Sequence, residues 1–417
     1  MPAYIGGGEV FFTATLADLV NLFFWRRPKP AEGPKASITA FVPVYNKADS
    51  IEACLRSILN QTEKPAQLII SENGSTDGSA AIIDYIARSY TGPIKIDVMR
   101  HSQQTGKAES IKYAARQLCQ GEYMLIVDAD TTLDERFIEN ISKYTAGLAS
   151  GEPVDAVCGA VFSKEPKPGA SLSERLIHRF RQGEYNLAVL LRSGQSNVNR
   201  LFTLIGCAYL VKREAAAEMP HYTVTEDLEQ TKKLQRKRGR VLFEPSAICY
   251  TQDPRSLKEL NTQLKRWFSG GIQTFLRNIA NVDATDDLKA FWKTKGMWTD
   301  IGMHLTGILG SIVYFVLPTM AFLNLAGLQE LIPARWALYT FGLASAVDVV
   351  LVLYAGKSIG RMKESLKALP LFAPMRLLGA FNYLKSWVVT GYQWLRGTRS
   401  WASRWGEPGP LEAFSRL

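Results

Sequence analysis

The sequence predicts an α/β fold: a soluble domain with a mostly parallel sheet, joined to an α-helical membrane domain. Between about Ala36 and Asp253, β-branched runs alternate with segments whose apolar residues recur at helical spacing. Repeated strand–helix–strand units are typical of a parallel sheet covered by helices on both faces. Two long apolar segments follow, and each is long enough to cross a bilayer.

The strands and helices of the soluble part can be placed in order along the chain. Strands are predicted over residues 37–44, 67–71, 94–99 and 123–127, and helices after Ser50, over 79–88 and over 106–118. Ligands of such sheets bind beyond the carboxyl ends of the strands. Polar clusters follow three of these strands, beginning at Tyr45, Glu72 and Asp128. The sequence therefore predicts a binding site at this edge of the sheet.

Charge and cysteine usage narrow the class of protein. The 417 residues include 49 Lys and Arg against 39 Asp and Glu, a formal charge of +10, which suits nucleic acid, a membrane surface or an anionic substrate. The basic run from Lys232 to Arg240 lacks interleaved aromatic residues, so we expect a solvated helix face beside the bilayer and no nucleic-acid partner. The five cysteines and four histidines are scattered, which argues against a zinc site or a disulfide framework.

The C-terminal part predicts a transmembrane hairpin. Ile301 to Leu328 contains no charged residue, and Trp336 to Gly356 contains only Asp348. The short connection between them puts the two outer ends on the same side of the membrane. Nine Lys and Arg against one Glu between Lys357 and Arg404 place that side in the cytoplasm.

The flanking segments are membrane-associated in other ways. Leu369 to Leu395 is apolar but carries Arg376 and Lys385, so we interpret it as interfacial or re-entrant, with a third span as the alternative. Val10 to Trp25 is an interfacial anchor or a short span. The chain is thus divided into an N-terminal anchor and linker (1–35), an α/β domain (36–255), interfacial helices (256–300), the hairpin (301–356) and a basic interfacial or re-entrant segment with a tail (357–417).

Two carboxylates, Asp128 and Asp130, directly follow a predicted strand. Such a pair can hold a hard divalent cation whose other ligands are phosphate oxygens and water. The alternative interpretation is a solvated turn. Gly106-Lys107, at a helix start, can likewise bring backbone N–H groups and a cation to phosphate, or can be an ordinary glycine turn.

Two later motifs also have a structural and a functional interpretation. Asp227 precedes a helical stretch and can serve as a general base, or it can complement the helix dipole with Thr225 as N-cap. Gln263, Arg266 and Trp267 share one helical face. A guanidinium there can hold a diphosphate, although an interfacial helix with Trp267 in an aromatic belt also fits the pattern.

The ordered set VPVYN, ENGSTDGS, DAD, TED and QLKRW, followed by membrane segments, resembles the processive family-2 glycosyltransferases with the GT-A fold. This family includes synthases of poly-N-acetylglucosamine, hyaluronan and chitin oligosaccharides, and the resemblance covers roughly Ser37 to Phe275. It implies an inverting, UDP-sugar-dependent hexosyltransferase that uses Mg²⁺ or Mn²⁺ and extends a polysaccharide or oligosaccharide, most closely with N-acetylglucosamine. It also implies an integral protein of the plasma or inner membrane whose catalytic domain faces the cytoplasm.

The resemblance assigns roles to residues by motif. Asp227 would be the catalytic base, and Asp130 with Asp128 would bind the metal ion. The donor would be bound by Pro43, Tyr45, Glu72, Lys107, Asp128, Gln263, Arg266 and Trp267. The acceptor would be bound by Gly206, Cys207, Glu226 and Trp267. The family commonly has an Asp pair where this chain has Glu72-Asn73.

Two other functions stay open at this point. The small number of predicted spans suits transfer of one sugar to a membrane lipid, as in the ceramide glucosyltransferases, which look similar. A catalytically silent, nucleotide-binding membrane scaffold is the other alternative. Membrane lipids are expected partners in each case, and the sequence is compatible with a homo-oligomer.

Overall fold

The structure is a computed structural model that describes residues 20, 26–101, 106–280, 295–398 and 411–416, without the side chains of 295–299 and 411–416. The predicted N-terminal apolar segment, residues 10–25, lies outside the described residues apart from residue 20. The strands are β1 Ile38–Val44, β2 Gln67–Glu72, β3 Lys95–His101, β4 Tyr123–Val127, β5 Thr132–Leu133, β6 Ala156–Ser163, β7 Ala208–Lys212, β8 Val241–Thr251 and β9 Leu411–Arg416.

One nine-stranded sheet organises the soluble part, in the order β5-β8-β6-β7-β4-β1-β2-β3-β9. Strands β1 to β4 are mutually parallel, and β6 is parallel to β8. The predicted mostly parallel sheet is therefore confirmed, and its four predicted strands occur within two residues of their expected bounds. Strand β7 runs antiparallel to both β4 and β6, a direction that its apolar run AYLV does not encode.

Helices cover both faces of this sheet and connect it to the membrane part. Those of the soluble part are α1 Ile51–Leu59, α2 Ser79–Ser89, α3 Lys107–Gln117, α4 Phe137–Ser142, α5 Leu172–Asn197, α6 Arg213–Ala217, α7 Glu226–Arg236 and α8 Leu257–Ile279. The core of the domain consists of the buried residues of β1 to β4 and β6 to β8 packed against these helices. Helix α8 carries the QLKRW motif and packs away from this core, against residues of the membrane part.

Two helical segments are long and apolar enough to cross a membrane, among the described residues: Asp300–Leu325 and Ala334–Ser358. The first segment is formed by helix α9 (Lys295–Ser311) from Asp300 onward, a π-helical turn (Ile312–Val316) and helix α10 (Leu317–Leu325). The second segment is helix α11. They coincide with the predicted hairpin. Helix α12, Met362–Leu395, follows with Pro370 and Pro374 inside it, and its interfacial placement stays a prediction.

An ion pair joins two of the three charges that the sequence places in apolar surroundings. Arg376 on α12 lies 3.2 Å from Asp348 on α11, and both side chains are almost fully buried. The Tyr314 hydroxyl donates a 2.5 Å hydrogen bond to the same carboxylate. Each charge is thus compensated by a partner on another helix, which reduces the cost of its burial.

The expectation of a solvated basic face from Lys232 to Arg240 is wrong for its first residue. Lys232 is 2% exposed and lies 2.5 Å from Asp300, at the start of the first membrane segment. Its ammonium also lies 4.6 Å from the centre of the Phe202 ring. The position is buried because α7 packs on the membrane segment, a contact that charge patterning cannot reveal.

Candidate active site

A cavity of about 770 Å³ opens at the carboxyl ends of the parallel strands. Strands β1, β2 and β4 all end there, as the general rule for parallel sheets requires. Of the predicted site residues, all but Glu72 line this cavity: Pro43, Tyr45, Lys107, Asp128, Asp130, Gly206, Cys207, Glu226, Asp227, Gln263, Arg266 and Trp267. Segments more than 200 residues apart in sequence therefore meet in one place.

At the end of β2, the side chain that lines the cavity is that of Asn73 and not that of Glu72. The Glu72 carboxylate instead accepts a 2.6 Å hydrogen bond from the backbone N–H of Ser75, inside the turn that follows the strand. The Asn73 amide is held by Ser71 and Ser110. The assignment of Glu72 to the donor stays a prediction, and Asn73 is the neighbouring side chain that lines the cavity.

Lys107 connects the DAD motif to the TED motif. Its ammonium lies 2.7 Å from Asp128 and 3.1 Å from Glu226, and it donates a 3.0 Å hydrogen bond to the Gly206 carbonyl oxygen. Burial lowers the pKa of Lys107, but the two carboxylates outweigh burial and hold that pKa well above its ordinary value. Lys107 is therefore a fixed positive charge at the start of α3, where backbone N–H groups also favour an anion.

A second lysine, Lys47, was not recognised from the sequence. Lys47 lies in the loop between β1 and α1, and its ammonium lies 2.6 Å from the Asp130 carboxylate. The only available signal was its position shortly after the first strand, which does not indicate which carboxylate it meets. Both acidic residues of the DAD motif thus have a lysine partner.

The DAD motif offers oxygen ligands to a divalent cation. Asp128 and Asp130 both line the cavity, and carboxylate oxygens are the ligands that Mg²⁺ and Mn²⁺ prefer. In the part of the chain that the structure describes, no group of three His, Cys, Asp or Glu side chains is arranged to hold a metal ion. The residues therefore fit a cation whose remaining ligands come from a bound phosphate and water.

Asp227 lies at the start of α7 with its carboxylate in the cavity wall. One oxygen accepts a 2.9 Å hydrogen bond from the backbone N–H of Leu228. The side chain is 5% exposed and lies against the backbone of Gly206. Thr225 occupies the N-cap position, but its side chain makes no capping hydrogen bond. Of the structural interpretation, the capping bond is not formed, whereas Glu226, Asp227 and Glu229 do lie in the first turn of the helix.

Helix α8 brings the QLKRW motif to the opposite wall of the cavity. Gln263, Arg266 and Trp267 all line the cavity, and Trp267 is 4% exposed. Close packing fixes the helix against the TED loop, because a Cβ at Gly270 would lie 2.3 Å from the Thr225 side chain. Behind the motif, Arg181 of α5 contacts both Gln263 and Trp267, which the sequence analysis did not anticipate.

Comparisons with known proteins find similarity to glycosyltransferases. Residues 39–216 match the family model described as glycosyl transferase family 2. The chain is 26% identical over 282 residues to a poly-beta-1,6-N-acetyl-D-glucosamine synthase of Staphylococcus aureus strain MSSA476, covering 66% of this chain and 63% of that protein. It is 24% identical over 263 residues to the synthase of the same name from Staphylococcus epidermidis, covering 61% and 59% of the two chains. The match thus spans less than two thirds of each relative's length.

A solved structure shares the fold. A mannosyltransferase from Pyrobaculum calidifontis, in complex with GDP-Man and Mn²⁺, aligns with a TM-score of 0.55 at 19% identity, covering 89% of this chain and 95% of that chain. At this identity the likeness supports the fold alone. Residues 39–216 are thus similar to glycosyl transferase family 2, and the chain has the GT-A fold.

Proposed function

We propose that the chain is a membrane-embedded inverting glycosyltransferase that moves a sugar from a UDP-sugar to a growing polysaccharide or oligosaccharide. The observation that carries the proposal is that the acidic pair Asp128 and Asp130, the carboxylate of Asp227 and the guanidinium of Arg266 line one cavity. N-acetylglucosamine is the favoured sugar, because the curated relatives are named poly-beta-1,6-N-acetyl-D-glucosamine synthases.

Donor binding involves both walls of the cavity. Pro43, Tyr45 and Asn73 lie at the strand ends, where the nucleoside would bind, and Lys107 supplies a positive charge for the diphosphate. Asp130, with Asp128, would hold Mg²⁺ or Mn²⁺, which when bound neutralises charge on the leaving diphosphate. Arg266 can bind the diphosphate from the helix α8 wall, where charge develops as the bond to the sugar breaks.

Asp227 is the base of the proposed reaction. It takes the proton from the acceptor hydroxyl while the oxygen attacks the anomeric carbon from the face opposite UDP, so the configuration at that carbon inverts. The new glycosidic bond forms as the bond from the anomeric carbon to the diphosphate breaks, and the electron pair leaves with UDP. The acceptor would be positioned by four residues that line the same cavity as Asp227: Gly206, Cys207, Glu226 and Trp267.

The division of the chain and its orientation belong to the same proposal. Residues 36–255 would be catalytic, 256–300 interfacial and 301–356 a transmembrane hairpin, flanked by residues 1–35 and 357–417. The excess of basic residues after the hairpin supports a cytoplasmic catalytic domain, where UDP-sugars would be bound.

Transfer to a membrane lipid is a second candidate, favoured by one observation. Trp267 of α8 belongs to the same buried apolar cluster as Met303 and Tyr383 of the membrane helices. The cavity wall is therefore directly connected to the part of the chain that would lie in lipid.

The purified full chain in lipid nanodiscs, given labelled UDP-sugars with Mg²⁺ or Mn²⁺, tests these alternatives. The proposal predicts UDP release, strongest with UDP-N-acetylglucosamine, and a ladder of products on thin-layer analysis. A single labelled glycolipid would favour the lipid acceptor. Tight UDP binding without release from any UDP-sugar would contradict both and support a silent scaffold.

A further inference from the structure

We propose that Arg181, which belongs to none of the five motifs, is a positioning residue that sets the orientation of Gln263 and Trp267 in the transfer reaction. This inference rests on the proposed glycosyltransferase function. Arg181 lies on α5, is 1% exposed and does not line the catalytic cavity. It can therefore act only through neighbours that do line the cavity, and Gln263 and Trp267 are the two that belong to the QLKRW motif.

Arg181 contacts four side chains, and the most distant of them is the Tyr185 ring, whose centre lies 6.0 Å from the guanidinium carbon. One terminal nitrogen donates a 2.7 Å hydrogen bond to the Glu184 carboxylate, and the other donates to the side-chain oxygen Oε1 of Gln263. The guanidinium carbon lies 4.8 Å from the centre of the Trp267 ring. One side chain thus contacts two of the three motif residues on α8.

The contact with Gln263 determines which end of its amide faces the ligand. A guanidinium can only donate hydrogen bonds, so Gln263 must turn its oxygen toward Arg181. The amide NH₂ group is then directed to the other side. Because Gln263 lines the cavity, the group it presents there is a donor, which suits a sugar hydroxyl oxygen.

The contact with Trp267 restricts the indole ring. A cation close to a buried aromatic face is attracted to it, and rotation of the ring would lose that attraction. Trp267 is 4% exposed, and one side of it still lines the cavity. Arg181 therefore holds the ring as a fixed surface against which a sugar can lie.

The burial of Arg181 and Glu184 argues against a purely stabilising role. Both side chains are at most 2% exposed, and the Nε atom of Arg181 has no hydrogen-bond partner among the residues that the structure describes. Replacing such a pair by apolar residues of similar volume is often neutral or stabilising. The contacts with Gln263 and Trp267 give the pair a function that apolar residues cannot supply.

The double variant Arg181→Met with Glu184→Met tests the proposal without leaving a buried unpaired charge. We expect its Tm and UDP affinity to stay near wild type while kcat falls by about 10-fold to 10²-fold, as expected for misplaced groups around the reacting atoms. Arg181→Lys should recover part of the loss, since an ammonium can still donate to Gln263. The matched control, Arg376→Met with Asp348→Asn, neutralises a buried pair that does not line the cavity and should keep kcat near wild type.

Gln263→Glu tests the amide orientation separately. The new carboxylate can accept from Arg181, so the buried contact is kept, but the N–H donor facing the cavity is lost. We expect a folded protein with a kcat loss similar to that of the double variant. If the double variant fails to fold, Arg181→Lys and Gln263→Glu decide, because both keep the pair with Glu184.

Wild-type kcat in a folded double variant, or in Gln263→Glu, would overturn the inference. A loss of kcat in the control equal to that in the double variant would also overturn it, because neutralising any buried pair would then suffice. Failure of the proposed function looks different: wild-type protein itself would then release no UDP from any UDP-sugar.

Discussion

Gly206 lies so close to Asp227 that a Cβ at this position would come within 2.5 Å of the Asp227 carboxylate. The glycine lies in the loop that leads into β7, and its lack of a side chain leaves room for the carboxylate in the cavity wall. The atom that would be displaced is the end of a side chain and not backbone. Asp227 can therefore occupy its position only because residue 206 has no side chain.

We therefore predict that Gly206→Ala lowers transfer by about 10²-fold, because the Asp227 carboxylate has to move away from the acceptor. Tm should change little, since a side-chain end gives way more easily than backbone. Measured kcat and Tm check this. Gly33→Ala is the control, because a Cβ there would meet only an ordinary 3.9 Å contact with Ala146. Normal transfer by Gly206→Ala would show that Asp227 does not need its present position.

Lys47 should weaken metal binding, because its ammonium lies 2.6 Å from the Asp130 carboxylate and competes with a cation for it. Lys47→Met is expected to tighten Mn²⁺ binding in the presence of UDP by about two- to fivefold, the range for a partly exposed ion pair. Titration of Mn²⁺ followed by electron paramagnetic resonance measures this directly. Weaker Mn²⁺ binding in the variant would indicate that Lys47 instead supports the diphosphate.

Arg376 should be important for stability in the membrane part. Arg376→Ala leaves the buried Asp348 carboxylate without its cation, and breaking a buried pair in this way costs about 3–5 kcal/mol of unfolding free energy. Thermal unfolding in detergent should show a clear fall in Tm. Adding Asp348→Asn to Arg376→Ala should restore part of the loss, since no unpaired charge then remains. An unchanged Tm for Arg376→Ala would mean that water reaches Asp348.

Removal of the metal ion should stop sugar transfer without unfolding the protein. Because the DAD carboxylates have lysine partners, Lys107 and Lys47, chelation of divalent cations is expected to stop transfer without lowering Tm. Adding back Mg²⁺ or Mn²⁺ should restore UDP release. Undiminished transfer in the presence of a chelator would show that the lysines alone neutralise the diphosphate.

The sequence predicted much of the fold because its signals are local. Strands β1 to β4 and the helices between them follow from apolar periodicity, and Asp128, Asp130 and Asp227 stand out because they follow a strand or begin a helix. The rule for parallel strands then brings the polar clusters to one edge of the sheet. That reasoning needs no knowledge of individual side-chain contacts.

The contacts that were missed join segments distant in sequence. Arg181 meets Gln263 across 82 residues, and Lys47 meets Asp130 across 83. No local pattern specifies such a partner, since any exposed carboxylate or amide would serve equally well. The hydrogen bond from the Ser75 N–H to the Glu72 carboxylate depends on the turn after β2, which the residue types alone do not specify.

The most direct test of the proposed function is Asp227→Asn, measured for both UDP binding and sugar transfer on the same folded preparation. Asn is close in size to Asp but cannot accept the acceptor proton, so we predict that UDP affinity stays near wild type while transfer falls by about 10²- to 10⁴-fold. Transfer by Asp227→Asn at a rate close to wild type would contradict the assignment of Asp227 as the base and the mechanism built on it.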